Sequence, residues 1–189
     1  MTHSFSWDYF AWAVAFGGLS ALSLVLGALL GLSWRPKKRT IALFTAFGFG
    51  YLGIAQYWLY TIQFARWFPA AARFGEHASL SARLADRAGM RDLLLQTLAG
   101  NFVHIPFAFF PAFYVTQEVV NHGSGASPRR ALERYRENAW DDLVAAWQIW
   151  IPGHLIFFST PLWARLPTNH AMSFGFCCVL SFMRGAEGT

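Results

Sequence analysis

Charge is what this sequence has least of. Asp, Glu, Lys and Arg make up 13% of its 189 residues, about half of the roughly 25% typical of soluble domains. The deficit is concentrated. None of the four occurs from Tyr9 to Trp34, from Thr40 to Ala65, from Leu93 to Gln117, from Leu143 to Ala164, or from Leu166 to Met183. With no charged residue mid-span there is no evident coupling-ion site or proton relay. Cysteine is equally scarce: Cys177 and Cys178 are adjacent, fall on different faces of a helix and lack metal-ligand spacing. Ser and His are scattered without a nucleophile motif, and the glycines lack a phosphate-cradling pattern. These absences exclude the common signatures of a soluble enzyme. No catalytic residue, metal, cofactor or nucleic-acid partner is expected.

What is present is apolar and aromatic. Hydrophobic residues account for 55% of the chain and aromatic residues for 18%. At 1.5 Å per residue, the first four uncharged runs can each cross a hydrocarbon core of about 30 Å. The fifth is interrupted by Pro167 and leaves a shorter apolar helix. The expected fold is therefore an all-α integral membrane protein, a bundle of four to five transmembrane helices with short amphipathic connecting helices. It forms one membrane domain over 1–189, with spans near 9–32, 40–64, 93–119 and 143–158 and a shorter helix over 171–183. The opening MTHSFSWDYF has neither a basic n-region nor the arginines of a presequence, so the first span is expected to be retained. Trp7, Tyr9, Phe10 and Trp12 at one end and Trp34 at the other mark the headgroup levels. Gly27 and Gly31 in that span, and Gly48, Gly50 and Gly53 in the second, allow close helix approach.

The connections carry the basic residues. Arg35 to Arg39 form a basic turn, and Arg83, Arg87 and Arg91 recur at four-residue spacing beside Leu80, Leu84 and Ala88. One helical face there is cationic and another apolar. Such a helix suits anionic lipid headgroups, cardiolipin included, and equally suits an ordinary solvated loop. Ser127 reads as an N-cap with Pro128 in the first helical position. Arg129 is spaced to pair with Glu133, and Leu132, Tyr135, Ala139 and Leu143 keep one apolar face running into the fourth span. If the spans alternate, the first and third connections carry eight Lys or Arg against six for the second and fourth, which places the former on the inner side.

Polar groups inside the spans are few. Gln56 and Gln63 lie two turns apart on the second span, and Asn101 and His104 share a face of the third. Those four define a possible polar interior; they could line a path or satisfy one another across helices. Gln148 and His154 lie on the fourth span. A pair such as His104 and His154 could ligate a tetrapyrrole, although hydrogen bonding to a neighbouring helix is the more ordinary use. Pro106, Pro111, Pro152 and Pro161 kink spans, for a cavity or for packing.

From about Arg39 to Ser181 the chain resembles the family of small organelle membrane proteins that includes the Mpv-seventeen protein of the mitochondrial inner membrane and the peroxisomal membrane protein of twenty-two kilodaltons. Arg39-Thr40, Gly48, Gly50, Gly53, Trp58-Leu59-Tyr60, Arg66 and Pro69 follow that family's glycine-rich second span and its exit. Arg91 and Gln96 match its third-span entry, and Leu180-Ser181 stand where it has Tyr-Leu-Ser. In WDDLVAAWQIWIPGHLIFFSTPLWAR, Phe157, Pro161 and Arg165 keep the spacing of its W-P-x-x-Q-x-x-N-F-x-x-x-P-x-x-x-R segment. The departures are polar. The family's Asn falls on Ile156 and its Gln on Gly153, its Trp-Pro step is displaced to Trp150 and Pro152, and Leu95 replaces an acidic residue. The resemblance implies a weakly selective pore or metabolite channel of the mitochondrial inner or peroxisomal membrane. The polar losses favour instead an accessory subunit packed among protein partners in a larger complex, such as a respiratory assembly.

Overall fold

A computed structural model describes residue 11, residues 38–77 and residues 79–185 of the chain. The expected span 9–32 lies outside the described residues apart from Ala11. All regular structure among the described residues is helical. α1 is a continuous run over 38–67, α-helical over Lys38–Phe47 and Phe64–Trp67 and wound in the wider π register over Gly48–Ala55 and Tyr57–Gln63. α2 (Pro69–Phe74) and α3 (Leu80–Ala85) are short. α4 runs over Arg87–Gly125, with a π segment over Gly100–Phe109. α5 spans Pro128–Phe158 and α6 spans Leu162–Gly185. Four or five spans were expected; among the described residues one helix, α4, is long and apolar enough to cross a membrane. The chain groups into two compact units, Met1–Arg66 with Trp163–Thr189, and Trp67–Leu162.

Side-chain caps decide where the helices of the second unit begin. Ser79 Oγ accepts the Ala82 N–H at 3.2 Å and starts α3. Asp86 then ends α3 and starts α4: its Oδ1 accepts the Gly89 N–H at 2.8 Å, and its Oδ2 meets His77 Nε2 at 3.1 Å. In α2, Pro69 fills the first position and has no N–H to satisfy. The next N–H, that of Ala70, donates at 3.0 Å to Oδ2 of the buried Asp92 on α4, which docks α2 on the first turns of that helix. Ser127 and Pro128 open α5 as their sequence predicts, with the Arg130 N–H on Ser127 Oγ at 3.4 Å. Arg129 pairs with Glu133 at 2.9 Å. In the last turn of α4 the chain reverses at Gly123, whose φ of 63° favours a residue without Cβ.

Two expectations are corrected. Pro167 does not interrupt the last helix, which runs through it from Leu162. Pro167 falls early in that helix, where its missing N–H removes one hydrogen bond and its ring meets only the opening turn. Arg83, Arg87 and Arg91 do not share one helix, because the Asp86 cap separates Arg83 on α3 from the other two on α4.

The Gly89 amide, followed by His77, holds the Asp86 carboxyl below its ordinary range. A carboxyl with a lowered folded-state pKa stabilises fully above its unfolded value of about 4, and that contribution is lost as pH falls through the lower folded value. Hydrogen exchange of the amides of residues 87–90, corrected for intrinsic rates, should therefore accelerate on acidification below pH 4. Asp86→Asn should remove most of that dependence.

Candidate functional site: the polar seam between α4 and α5

The seam starts from two prolines. In π winding a carbonyl accepts the N–H five residues on, as Ile105 does from Phe110. Proline has no N–H. In that register Pro106 deprives the Asn101 carbonyl of its backbone donor, and Pro111 deprives the Pro106 carbonyl. α5 supplies both replacements: Trp147 Nε1–H donates to the Asn101 carbonyl at 2.9 Å, and Tyr135 Oη–H donates to the Pro106 carbonyl at 2.9 Å. Rings hold these donors in place. Trp147 packs on Phe102 with centroids 4.8 Å apart, and Tyr135 stacks on Phe110 at 5.8 Å.

At the same level the Asn101 side chain crosses the seam. Its Nδ2 donates to the Thr97 carbonyl at 2.9 Å and to His154 Nδ1 at 2.8 Å. Only the amide NH₂ can donate to the Thr97 carbonyl, so the amide orientation follows. His154 Nδ1 then accepts, which places the neutral ring's proton on Nε2. His154 is buried against the rings of Phe157 and Phe158, at 5.3 and 5.2 Å, and against Gly100. A Cβ on Gly100 would lie 3.0 Å from the imidazole. His104 is buried on α4. His154 therefore serves as a hydrogen-bond acceptor across the seam.

The open end of the hairpin is closed by Glu118, which is buried although it is ionisable. Its Oε1 accepts from Arg130 Nε at 2.7 Å and from the Ser127 N–H at 3.4 Å, while His122 Nδ1 lies 3.1 Å from Oε2. Arg130 also donates to the Gly125 carbonyl at 2.8 Å. The carboxylate thereby ties the end of α4, the turn and the start of α5 together. Between this lock and the proline level, Tyr114 Oη–H donates to Asp142 Oδ2 at 2.5 Å.

The structure distributes the other sequence-predicted residues differently. Gln56 is buried in the first unit, where Asn169 Nδ2 donates to its Oε1 at 3.1 Å. One turn on, the fully buried Arg165 reaches the Tyr60 carbonyl at 3.5 Å. Gln63 is half-buried. Asn101 and His104 lie in the second unit with His154. Gln56 and Asn101 each take a partner within their own unit. Gln148 is exposed. Arg83 Nε donates to the His77 carbonyl at 3.1 Å, and its guanidinium lies over Phe74, 5.8 Å from the ring centre. Arg91 Nη2 pairs with Asp92 Oδ1 at 3.0 Å while its side chain stays 74% exposed, and Arg87 is exposed. Arg165, Asn169 and Glu118 were missed as structural polar groups. Matched spacing was the signal for Arg165 and Asn169, since Gln56 and Tyr60 are four apart, as are Arg165 and Asn169.

Outside the seam, α4 exposes Leu94, Leu95, Leu98, Phe102, Val103 and Phe107. The Asn101 bonds set α4 antiparallel to α5, so this stretch lies beside the uncharged part of α5, Leu143–Phe158. That part rises about 24 Å at 1.5 Å per residue. Beyond it α5 exposes Trp140, Asp141, Glu137 and Arg136.

Trp147→Phe and Tyr135→Phe keep the aromatic bulk and remove the donor, so each should lower stability by about 1 kcal/mol, the scale of interhelical polar contacts in membranes. Thermal unfolding in detergent should show the double variant less stable than either single one. Gly100→Ala, which drives a methyl into His154, should cost about 1–3 kcal/mol.

No family model, curated protein or solved structure matches the chain.

Proposed function

We propose that this chain is a non-enzymatic multi-span membrane protein, similar to the Mpv-seventeen family, that serves as an accessory subunit packed in a larger complex of the mitochondrial inner membrane. The observation that carries this reading is the use made of the polar groups. Asn101 bonds to His154 and to the Thr97 carbonyl, and Gln56 accepts from Asn169. A conducting path needs carbonyls, amides or charges free to replace water around a solute. Here the Asn101 and Pro106 carbonyls, and the Asn101 and Gln56 amides, are engaged in bonds between helices, which supports a closed bundle. The six large apolar side chains exposed along α4 over Leu94–Phe107 support a surface covered by lipid or by apolar helices of partners.

Membrane placement is supported by the match between that stripe and Leu143–Phe158. Both are bounded by charge, Arg91 at one end and Asp141 at the other, and Trp140 sits at the second boundary where indole rings favour the headgroup level. The band of about 24 Å is shorter than a hydrocarbon core of about 30 Å, so the bilayer thins around it. The ends of α4 and α5 near Glu118 and Arg130 then lie outside the membrane, where an ionised lock is inexpensive.

In planar bilayers the purified protein should show no reproducible conductance. Gentle detergent extraction, native gel electrophoresis and mass spectrometry should find it in a high-mass assembly that weakens when the protein is removed from cells. Robust single-channel currents abolished by Asn101→Leu would restore the pore reading. Fractionation with protease protection tests the inner-membrane location.

A further inference from the structure

The segment before α4 carries two leucines that the fold does not use. Leu80 is 72% exposed and Leu84 62% exposed, one turn apart on α3. Their exposure is held in place from behind. Ser79 caps α3, Asp86 caps α4, and Arg83 points inward to the His77 carbonyl and over the Phe74 ring. With Arg83 occupied, Arg87 is the exposed cation nearest the leucine pair in sequence, three residues beyond Leu84 on the first turn of α4. Trp67, 59% exposed, stands three residues before Ala70, whose N–H is bound by Asp92. Trp67 therefore lies close to the level of the first turns of α4. The apolar stripe of α4 starts at Leu94, seven residues or about 10 Å beyond Arg87.

A solvated loop helix has no reason to hold two leucines outward beside a free arginine and an exposed tryptophan at the edge of an apolar band. An interfacial anchor does: the leucines enter the acyl boundary, the indole sits at the headgroups and the guanidinium meets phosphate. We propose that Leu80, Leu84 and Arg87, with Trp67, form a docking surface for anionic phospholipid headgroups at the end of α4. Arg83 is the positioning residue that turns the leucines outward. This rests on the membrane placement proposed above. The segment carries Arg73, Arg83, Arg87 and Arg91 against Glu76, Asp86 and Asp92. Arg83 is turned inward, Arg91 pairs with Asp92 and Asp86 caps α4, which leaves Arg73 and Arg87 against Glu76, so the accessible charge is positive and complements an anionic surface.

The test uses the full chain in nanodiscs of phosphatidylcholine alone or with phosphatidylglycerol, read by hydrogen exchange of residues 79–91. Exchange should slow by about fivefold or more in the anionic discs, since a cation near such a surface contributes about 1 kcal/mol, and 1 M salt should reverse the difference. Arg87→Gln should abolish it. Arg136→Gln, an equal charge change at the opposite end of α5, should leave it intact. Leu80→Ser with Leu84→Ser should raise exchange in both disc types. Equal exchange in the two disc types, with the amides of residues 94–107 protected, would overturn the lipid site and leave the membrane reading standing; an acidic protein surface would then be the better occupant. Failure of the chain to remain in the discs after an alkaline wash would overturn both.

Discussion

Two backbone carbonyls that no backbone N–H can satisfy organise the second unit. Pro106 and Pro111 are five residues apart, and in the π register that spacing leaves the carbonyls of Asn101 and Pro106 without donors. An unsatisfied carbonyl in an apolar setting costs several kcal/mol, so the helix is stable only beside a neighbour that donates. α5 is that neighbour, and Trp147 and Tyr135 are its donors. The register of the hairpin follows, and with it the partners of the side chains between: His154 comes within reach of Asn101, Asp142 within reach of Tyr114, and Arg130 within reach of Glu118.

A helix pair arranged this way has used its polar capacity on itself. Interhelical hydrogen bonds in membranes are individually modest, about 0.6 to 2 kcal/mol, but each also removes a group that might have faced a solute. The same logic holds in the first unit, where Gln56 and Asn169, and the Tyr60 carbonyl and Arg165, repeat the pairing of a helix and its neighbour at matched four-residue spacing. In both units amides and buried charges act as registration marks between helices, and in the second unit prolines join them. The surfaces left over include the apolar stripe of α4 and the charged residues of both signs exposed on the first turns of α5.

The helical class was legible in the uncharged runs, because a chain without charges over twenty or more residues has few ways to satisfy its backbone other than helix. The start of α5 was legible as well: Ser127, Pro128 and the Arg129–Glu133 pair are local signals whose partners lie within one turn. What the residues could not disclose is every feature that depends on a partner far along the chain. Asp92 looks like an ordinary span-entry acid until α2 folds back and presents the Ala70 N–H. Arg83 looks like the equal of Arg87 until Phe74 and the His77 carbonyl claim it. Asn101 and His104 are both buried, yet a hydrogen bond of Asn101 runs to His154, 53 residues away. Local chemistry therefore set which segments became helices and where they began. Tertiary structure alone decided which polar groups were consumed, because a hydrogen bond across a seam exists only once the register of two helices is fixed.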